Sequence, residues 1–368
     1  RMKTDTLVHH GRHFGRTLQM FGNLNNLVRE GVLQEERMQA HNIGFEDLPE
    51  EYVSMSTRKQ HELFSRLVRL CGPILMDRLF ADHRTNEDII FAADSITRGV
   101  NGARSDDLKT MKVAVVDWIA PEGGVLIPPL ARNVKTGRGF YHEVTGEYLC
   151  PTDYDWSDHE VKASLRSGHL VVSGLQWPRF LYENLEMNCD NAWDGLFKSK
   201  ILVLAYKHVF ISPSSANGES RATRGGNVQI HGMTSVTVPS LAYVATLLRF
   251  SLGHWNVFSR NDRQADSERF YNSILDFLED EDEEKEVIEL LGWWNRYFPS
   301  PNDGRTVLTF LVFFSQVFPA QYQCGARSLP DSSALAKLKQ QRHRKRQALG
   351  NSNVQNQPHP QPRQQPSQ

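Results

Sequence analysis

The chain of 368 residues contains few cysteines, no long apolar run and almost no net charge. Its four cysteines, Cys71, Cys150, Cys189 and Cys324, are far apart, and no two form a C-x-x-C pair. A long chain with few, scattered cysteines is typical of a reducing compartment. The start of the chain also lacks the signal-peptide pattern of basic residues followed by an apolar stretch, so we expect an intracellular protein. The longest apolar run, Val307–Phe318, has 12 residues. A membrane-spanning helix needs about 20, so no membrane span is predicted.

The net charge of −1 conceals an uneven distribution of charge along the chain. Residues 331–368 carry seven Lys or Arg residues and one acidic residue, so this segment is +6 and the remainder is −7. A basic segment attached to a weakly acidic body predicts that the segment, rather than the body, binds an acidic partner.

Helical periodicity dominates the sequence, because apolar residues recur at spacings of three and four. We therefore predict a mainly α fold, with a single large helical domain over residues 14–300. Residues 1–13 are predicted to be a ragged N-terminal segment, and residues 301–330 an atypical apolar connector. Residues 331–368 are predicted to form a basic helix followed by a disordered tail, since the last 18 residues include six Gln and four Pro. The chain begins at Arg1 rather than Met, which indicates a fragment or a trimmed chain.

Capping and turn residues divide the helical pattern into elements. Thr85 and Asp88 have capping-box spacing ahead of one helix, and Ser105 is the predicted N-cap of the next. Glycine and proline are too frequent in residues 121–156 for long helices, so this stretch is predicted to be an ordered loop with a hairpin at Thr145-Gly146. The other predicted elements are an opening helix over residues 14–31, a helix that begins at Ser157 and stops at Gly168, a helix pair over 177–211, a second ordered loop over 212–238 and a helix opened by Pro239.

Basic residues in the two predicted loops are candidates for an anion site. They are Arg132, Lys135, Arg138 and His142 in the first loop, and Arg221, Arg224 and His231 in the second. Guanidinium groups, and backbone amides beside glycines, bind phosphate. If the two loops meet, they form an electropositive pocket that would suit an enzyme of nucleotide or phosphate chemistry. The alternative is that these charges are solvated or pair with the surplus acids of the body.

The sequence predicts no metal site and no cofactor. Zinc ligands usually occur in pairs two to four residues apart, and only His9-His10-x-x-His13 approaches that spacing. Cys150 lies eight residues after His142, but no nucleophile-elbow motif is present, so we interpret these two as unrelated loop residues.

Acidic residues occur in two groups. Asp262, Asp266 and Glu268 precede a predicted helix, where they could bind Mg²⁺ or cap the helix, and capping is the favoured interpretation. The run Glu279–Glu284 is interpreted as a solvated turn between helices.

The basic cluster is formed by Arg342, Arg344, Lys345 and Arg346, in an exposed helix that leads into the predicted tail. Short runs of this kind serve as nuclear import signals or contact nucleic acid, and the alternative role is to keep the tail soluble. Our leading hypothesis is a non-enzymatic macromolecular-binding protein that contacts protein or nucleic acid through this tail, with the nucleus favoured over the cytoplasm.

Several peptides resemble those of one protein family. They are 131–135 (ARNVK), 138–140 (RGF), 212–215 (SPSS), 222–224 (ATR), 231–234 (HGMT), 243–246 (YVAT), 258–260 (FSR), 266–271 (DSERFY) and 293–296 (WWNR). Together they resemble an uncharacterised protein family of mushroom-forming (basidiomycete) fungi that occurs in many copies per genome. The resemblance covers roughly residues 14–300 and implies a fungal intracellular protein with no assigned activity. Residues 302–327 do not share it, so they are either a genuine element or a translated intron.

Overall fold

The computed structural model describes residues 5–48, 54–212, 233, 235–260, 266–296, 336–341 and 344. These residues form α-helices joined by short 3-10 turns and loops, and none of them lies in a β-strand. The predicted mainly α fold is therefore confirmed. Within the described ranges, no helix is both long and apolar enough to cross a membrane.

Four helices form the N-terminal part of the structure. They are α1 (Thr6–Thr17), α2 (Leu24–His41), α3 (Met55–Cys71) and α4 (Pro73–Leu79). The prediction of one opening helix over residues 14–31 is wrong, because α1 ends at Thr17 and a new helix starts after Asn23. The side chain of Asn23 accepts a hydrogen bond from the N–H of Asn26 and so caps α2. Helix α1 begins at Thr6, inside the segment that was expected to be ragged.

Helix α5 (Asn86–Trp118) has 33 residues and is the longest helix described. Its N-terminus confirms the predicted capping box, since Thr85 accepts from the N–H of Asp88 while the Asp88 carboxylate accepts from the N–H of Thr85. The prediction of a second helix capped by Ser105 is wrong, because Ser105 lies within α5. Buried apolar residues precede and follow it on the same helix, and their packing outweighs the local capping signal.

Glycines allow α1 and α5 to approach each other closely. A Cβ atom on Gly11 would lie 2.2 Å from the carbonyl oxygen of Ile96, and one on Gly99 would lie 2.2 Å from that of Val8. Contacts this short exclude any side chain at either position. The two backbones therefore touch, and the first half of α5 completes a core with α1 to α4 that includes Phe14 and Phe64.

The segment after α5 confirms the predicted first loop in part. Residues 121–138 contain no helix, and Leu126 anchors them in the core while most neighbouring side chains are exposed. The predicted hairpin at Thr145-Gly146 is wrong, because both residues lie in α6 (Glu143–Leu149). Helix α7 (His159–Ser167) is capped by Asp158 rather than Ser157. It ends, as predicted, at Gly168, which has a left-handed conformation with φ of 78°.

The remaining helices enclose the larger core. They are α8 (Lys200–Phe210), α9 (Val238–Leu252), α10 (Ser267–Leu278) and α11 (Glu284–Asn295). Only α8 is present where a helix pair over 177–211 was predicted, since residues 177–199 form turns and one short 3-10 helix, Arg179–Leu181. Pro239 lies in the first turn of α9, as predicted. Every residue of α9 is buried, so α9 is the central helix of this core.

A buried ion pair joins the two cores. Arg16 of α1 makes two hydrogen bonds to the carboxylate of Asp107 in α5, at 2.8 and 2.7 Å. The hydroxyl of Tyr243 in α9 donates to the same carboxylate at 2.7 Å. Although burial acts in the opposite direction, these bonds and the charge of Asp107 raise the pKa of Arg16. The two buried charges therefore compensate each other, and together with Tyr243 they connect α1, α5 and α9.

Several predicted features lie outside the described residues. They are most of the second loop, the apolar run Val307–Phe318, and the Gln/Pro-rich tail. The predicted domain limits at residues 300 and 330 lie among these undescribed residues, and the division of the chain into domains stays a prediction.

Candidate functional site

Two cations of the predicted anion site are buried and bind backbone carbonyls. Lys135 is 3% exposed, and its ammonium group donates to the carbonyl of Phe250. Arg138 is fully buried and donates to four carbonyls, including those of Lys112 and Ser251, at 2.9 to 3.1 Å. Phe250 and Ser251 belong to the last turn of α9, where carbonyls lack the α-helical hydrogen bond from the residue four positions later and carry partial negative charge. Lys135 and Arg138 therefore cap the C-terminus of α9.

The local environment disfavours the charged form of both cations. Burial, with the nearby charges of Arg138 and Lys112, lowers the pKa of Lys135 to about 6. Burial alone lowers the pKa of Arg138 to about 10. No carboxylate of the described residues forms an ion pair with either. Their carbonyl partners and the Phe250 ring, 3.2 Å from the Lys135 ammonium, stabilise them instead.

The other two first-loop candidates also have partners within the protein. The guanidinium group of Arg132 forms an exposed ion pair with Asp117 at 2.7 Å. The Nδ1 atom of His142 accepts from the N–H of Val144, which caps α6, and its Nε2 atom is 2.9 Å from the carbonyl oxygen of Pro128. In the second loop, Arg221, Arg224 and His231 lie outside the described residues. The convergence of the two loops on one anion therefore stays a prediction.

The Cys150 thiol is not arranged as a nucleophile. Burial raises its pKa to about 12, and the sulfur lies near the carbonyl oxygens of Pro151 and Tyr154. Both ring nitrogens of His142 are engaged elsewhere, so the structure gives the two residues separate roles. Within the described ranges, no group of three metal-binding side chains comes together.

The acidic residues have partners that differ from those predicted. Asp266 does not cap α10. Its backbone has the left-handed conformation, and its carboxylate accepts a hydrogen bond from the N–H of Gly174 at 2.9 Å. Glu268 forms a bidentate pair with Arg260, and Asp262 lies outside the described residues.

The acidic run after α10 is solvated only in part. Glu283 is 4% exposed and accepts from the indole N–H of Trp193 at 2.7 Å. The interpretation of Glu279–Glu284 as a solvated turn is therefore wrong for Glu283. It is also wrong for Glu279, whose side chain is 21% exposed.

A cleft of about 330 Å³ lies between the two cores. Its walls come from the end of α1, from α3, from the start of α9 and from α10. Glu279 lines it with a side chain 21% exposed and lies 3.9 Å from the ammonium group of Lys59. Burial raises the pKa of Glu279 to about 7, and the charges of Asp276 and Glu62 act in the same direction. Glu62 also lines the cleft, where it pairs with Arg66.

The basic cluster follows a helical segment that is attached to the body. In residues 336–341, Leu338 is 2% exposed and belongs to the larger core. Gln341 donates to the carbonyl of Cys189 at 3.0 Å and accepts from the N–H of Ala192 at 3.1 Å. The expectation of a wholly exposed helix is therefore wrong. Arg344 is helical and exposed, while Arg342, Lys345 and Arg346 lie outside the described residues.

A family of unknown function, DUF6698, matches residues 98–297, more than half of the chain. The chain belongs to this family. No curated protein and no solved structure matches the chain.

The DUF6698 region contains most of the candidate site residues that the structure describes. It begins inside α5 and ends after α11, so it includes most of the larger core, the first loop and Glu279. Helices α1 to α4 and the basic cluster lie outside it. Lys59 and Glu62 also lie outside, so the cleft joins the DUF6698 region to the helices that precede it.

Proposed function

We propose that this DUF6698 protein is a non-enzymatic binding protein that contacts polyanionic macromolecules through its basic cluster, in the nucleus of a fungal cell. The observation that carries the proposal is the attachment of residues 336–341 to the body by Leu338 and Gln341. This attachment holds the helical segment just before the cluster on the body, and the described cations Lys339 and Arg344 are exposed. Nucleic acid is the partner that we propose, because its phosphates interact with Lys and Arg without requiring a fixed fold.

The phosphate enzyme, our second hypothesis, has less support. It requires first-loop cations that are free to bind a substrate. Instead, Lys135 and Arg138 are buried on the end of α9, and Arg132 pairs with Asp117. The binding protein is therefore the function that we favour.

The test replaces four cations of the cluster with alanine. A matched control removes the same charge from exposed positions of the body. The test variant changes Arg342, Arg344, Lys345 and Arg346, and the control changes Arg37, Arg58, Lys109 and Lys200. We expect the test variant of a fluorescent fusion to leave the nucleus while the control stays there. We also expect the salt dependence of DNA or RNA binding to decrease by up to about four in log–log slope in the test variant alone.

The outcome that contradicts the proposal is equally specific. If both variants stay nuclear and bind nucleic acid with the salt dependence of the unchanged chain, the cluster only keeps the protein soluble. Circular dichroism confirms that the helical body is intact in each variant.

A further inference from the structure

Four arginines meet where α1, α5 and the segment after α9 come together, and three of them have a carboxylate partner. Arg12 pairs with Asp106, Arg16 with Asp107, and Arg260 with Glu268; the fourth is Arg104. Among the described residues, Arg104 forms no ion pair, and its one hydrogen bond is to the side-chain oxygen of Asn101 at 2.8 Å. Among the residues that the structure describes, these ion pairs leave one positive charge without a carboxylate partner, and that charge is on Arg104.

Aromatic rings hold the guanidinium group of Arg104 in place. It lies 5.1 Å from the centre of the Phe258 ring and 5.8 Å from that of Phe21. The two rings are parallel, with centres 6.0 Å apart, and Phe21 also packs against the edge of Tyr271. A planar guanidinium group on such a platform loses little further freedom when it binds a ligand.

The Arg104 site is open to ligands. Arg104 is half-buried, and none of its nitrogen atoms is both buried and without a hydrogen-bond partner, so among the described residues its unused N–H groups keep some contact with solvent. The second guanidinium, that of Arg260, lies 5.5 Å from the centre of the same Phe21 ring. Burial and the neighbouring charge of Arg260 both lower the pKa of Arg104. A bound anion would relieve the repulsion between the two arginines.

We propose that Arg104 is the centre of a phosphate-binding site, with Phe21 and Phe258 as its platform and Arg260 as a second cation. Guanidinium groups bind phosphate oxygens through paired N–H donors, and Arg104 has such donors unused. A nucleobase is not part of the proposed ligand, because the rings already contact each other and the two arginines. The recognised group is phosphate itself, either from a free phosphate compound or from a nucleic-acid backbone.

The experiment measures pyrophosphate binding by isothermal titration calorimetry at constant ionic strength, with the full chain. We expect Arg104→Gln to weaken binding by about tenfold or more, as for the loss of a charge-assisted hydrogen bond. Arg12→Gln is the matched control, because Arg12 lies on the neighbouring helix and is paired with Asp106; its affinity should change less than twofold. Arg104→Lys keeps the charge without the planar fork and should bind with intermediate affinity.

The chemical shift of the Arg104 Nε–H group provides a readout that does not depend on variants. In the unchanged chain, it should move on titration with pyrophosphate and not with sodium chloride. Equal affinity of Arg104→Gln and the unchanged chain, or no shift of this resonance, would overturn the proposal.

A short oligonucleotide, titrated into the chain that lacks the basic cluster, separates the two sources of phosphate. If Arg104→Gln weakens this binding as well, the source is nucleic acid. If it weakens pyrophosphate binding alone, the source is a free phosphate compound. Because the basic cluster is absent from this comparison, its result is distinct from the test of the proposed function.

Discussion

Replacing Glu279 with glutamine should stabilise the protein at alkaline pH and have little effect at acidic pH. Glu279 lines the cleft between the two cores, where burial raises its pKa from 4.5 to about 7. The folded state therefore holds this proton more tightly than the unfolded chain does. As the pH rises from about 4.5 to about 7, the carboxyl group loses its proton in a poorly solvated position, and stability decreases.

The magnitude follows from the difference between the two pKa values. One pKa unit corresponds to about 1.4 kcal/mol, so a shift to about 7 costs at most about 3 kcal/mol at pH 8. The side chain is 21% exposed and lies 3.9 Å from the ammonium group of Lys59, so we expect a measured gain of about 2 kcal/mol. Glutamine has the same shape and carries no charge, so it removes the cost at every pH.

Urea denaturation at pH 5 and pH 8, followed by circular dichroism, measures this effect. Glu281→Gln is the control, because Glu281 belongs to the same acidic run and its side chain is exposed. Glu279→Gln should raise the free energy of unfolding at pH 8 and leave it nearly unchanged at pH 5, while the control changes it at neither pH. If Glu279→Gln destabilised the protein at pH 8, or changed stability equally at both pH values, the burial argument would be refuted.

Two further predictions concern the junction between α1 and α5. Gly99→Ala should lower the free energy of unfolding by about 2 kcal/mol, because the new Cβ would meet a backbone oxygen at 2.2 Å. Gly292→Ala, with no atom within 4 Å of the new Cβ, should raise it by about 0.5 kcal/mol in the same denaturation assay. Asp107→Asn should cost about 3 kcal/mol by leaving Arg16 buried without a negative partner, whereas Asp106→Asn, in an exposed pair, should cost under about 1 kcal/mol. Equal effects of Gly99→Ala and Gly292→Ala would contradict the first prediction, and equal effects of Asp107→Asn and Asp106→Asn would contradict the second.

Helices were predictable from the sequence where periodicity and caps agree. Thr85 and Asp88 define the start of α5, Gly168 the end of α7, and Pro239 the first turn of α9. Errors arose where a local signal and packing disagree. Ser105 is a good capping residue, but it lies in a helix whose buried face is continuous on both sides.

The site residues were harder to predict, because their roles depend on partners that are distant in sequence. The sequence identified Lys135 and Arg138 as cations beside glycines, and such cations are equally suited to phosphate and to the carbonyls at a helix end. The C-terminal turn of α9, more than 100 residues later, decides which they bind. Arg104 was missed for the same reason, since no local pattern shows that an arginine lacks a carboxylate partner.

Helices α1 to α4 are part of the same folded structure as the DUF6698 region, although they lie outside it. That region starts at residue 98, within α5 and beside Gly99, whose backbone touches α1. Without α1, the carboxylate of Asp107 would lose Arg16 and remain buried with the hydroxyl of Tyr243 as its partner. A buried carboxylate without a cation is costly, so the matched region requires α1 or an equivalent helix to be stable. The same junction carries Arg104, so the N-terminal helices stabilise the region where we propose that phosphate binds.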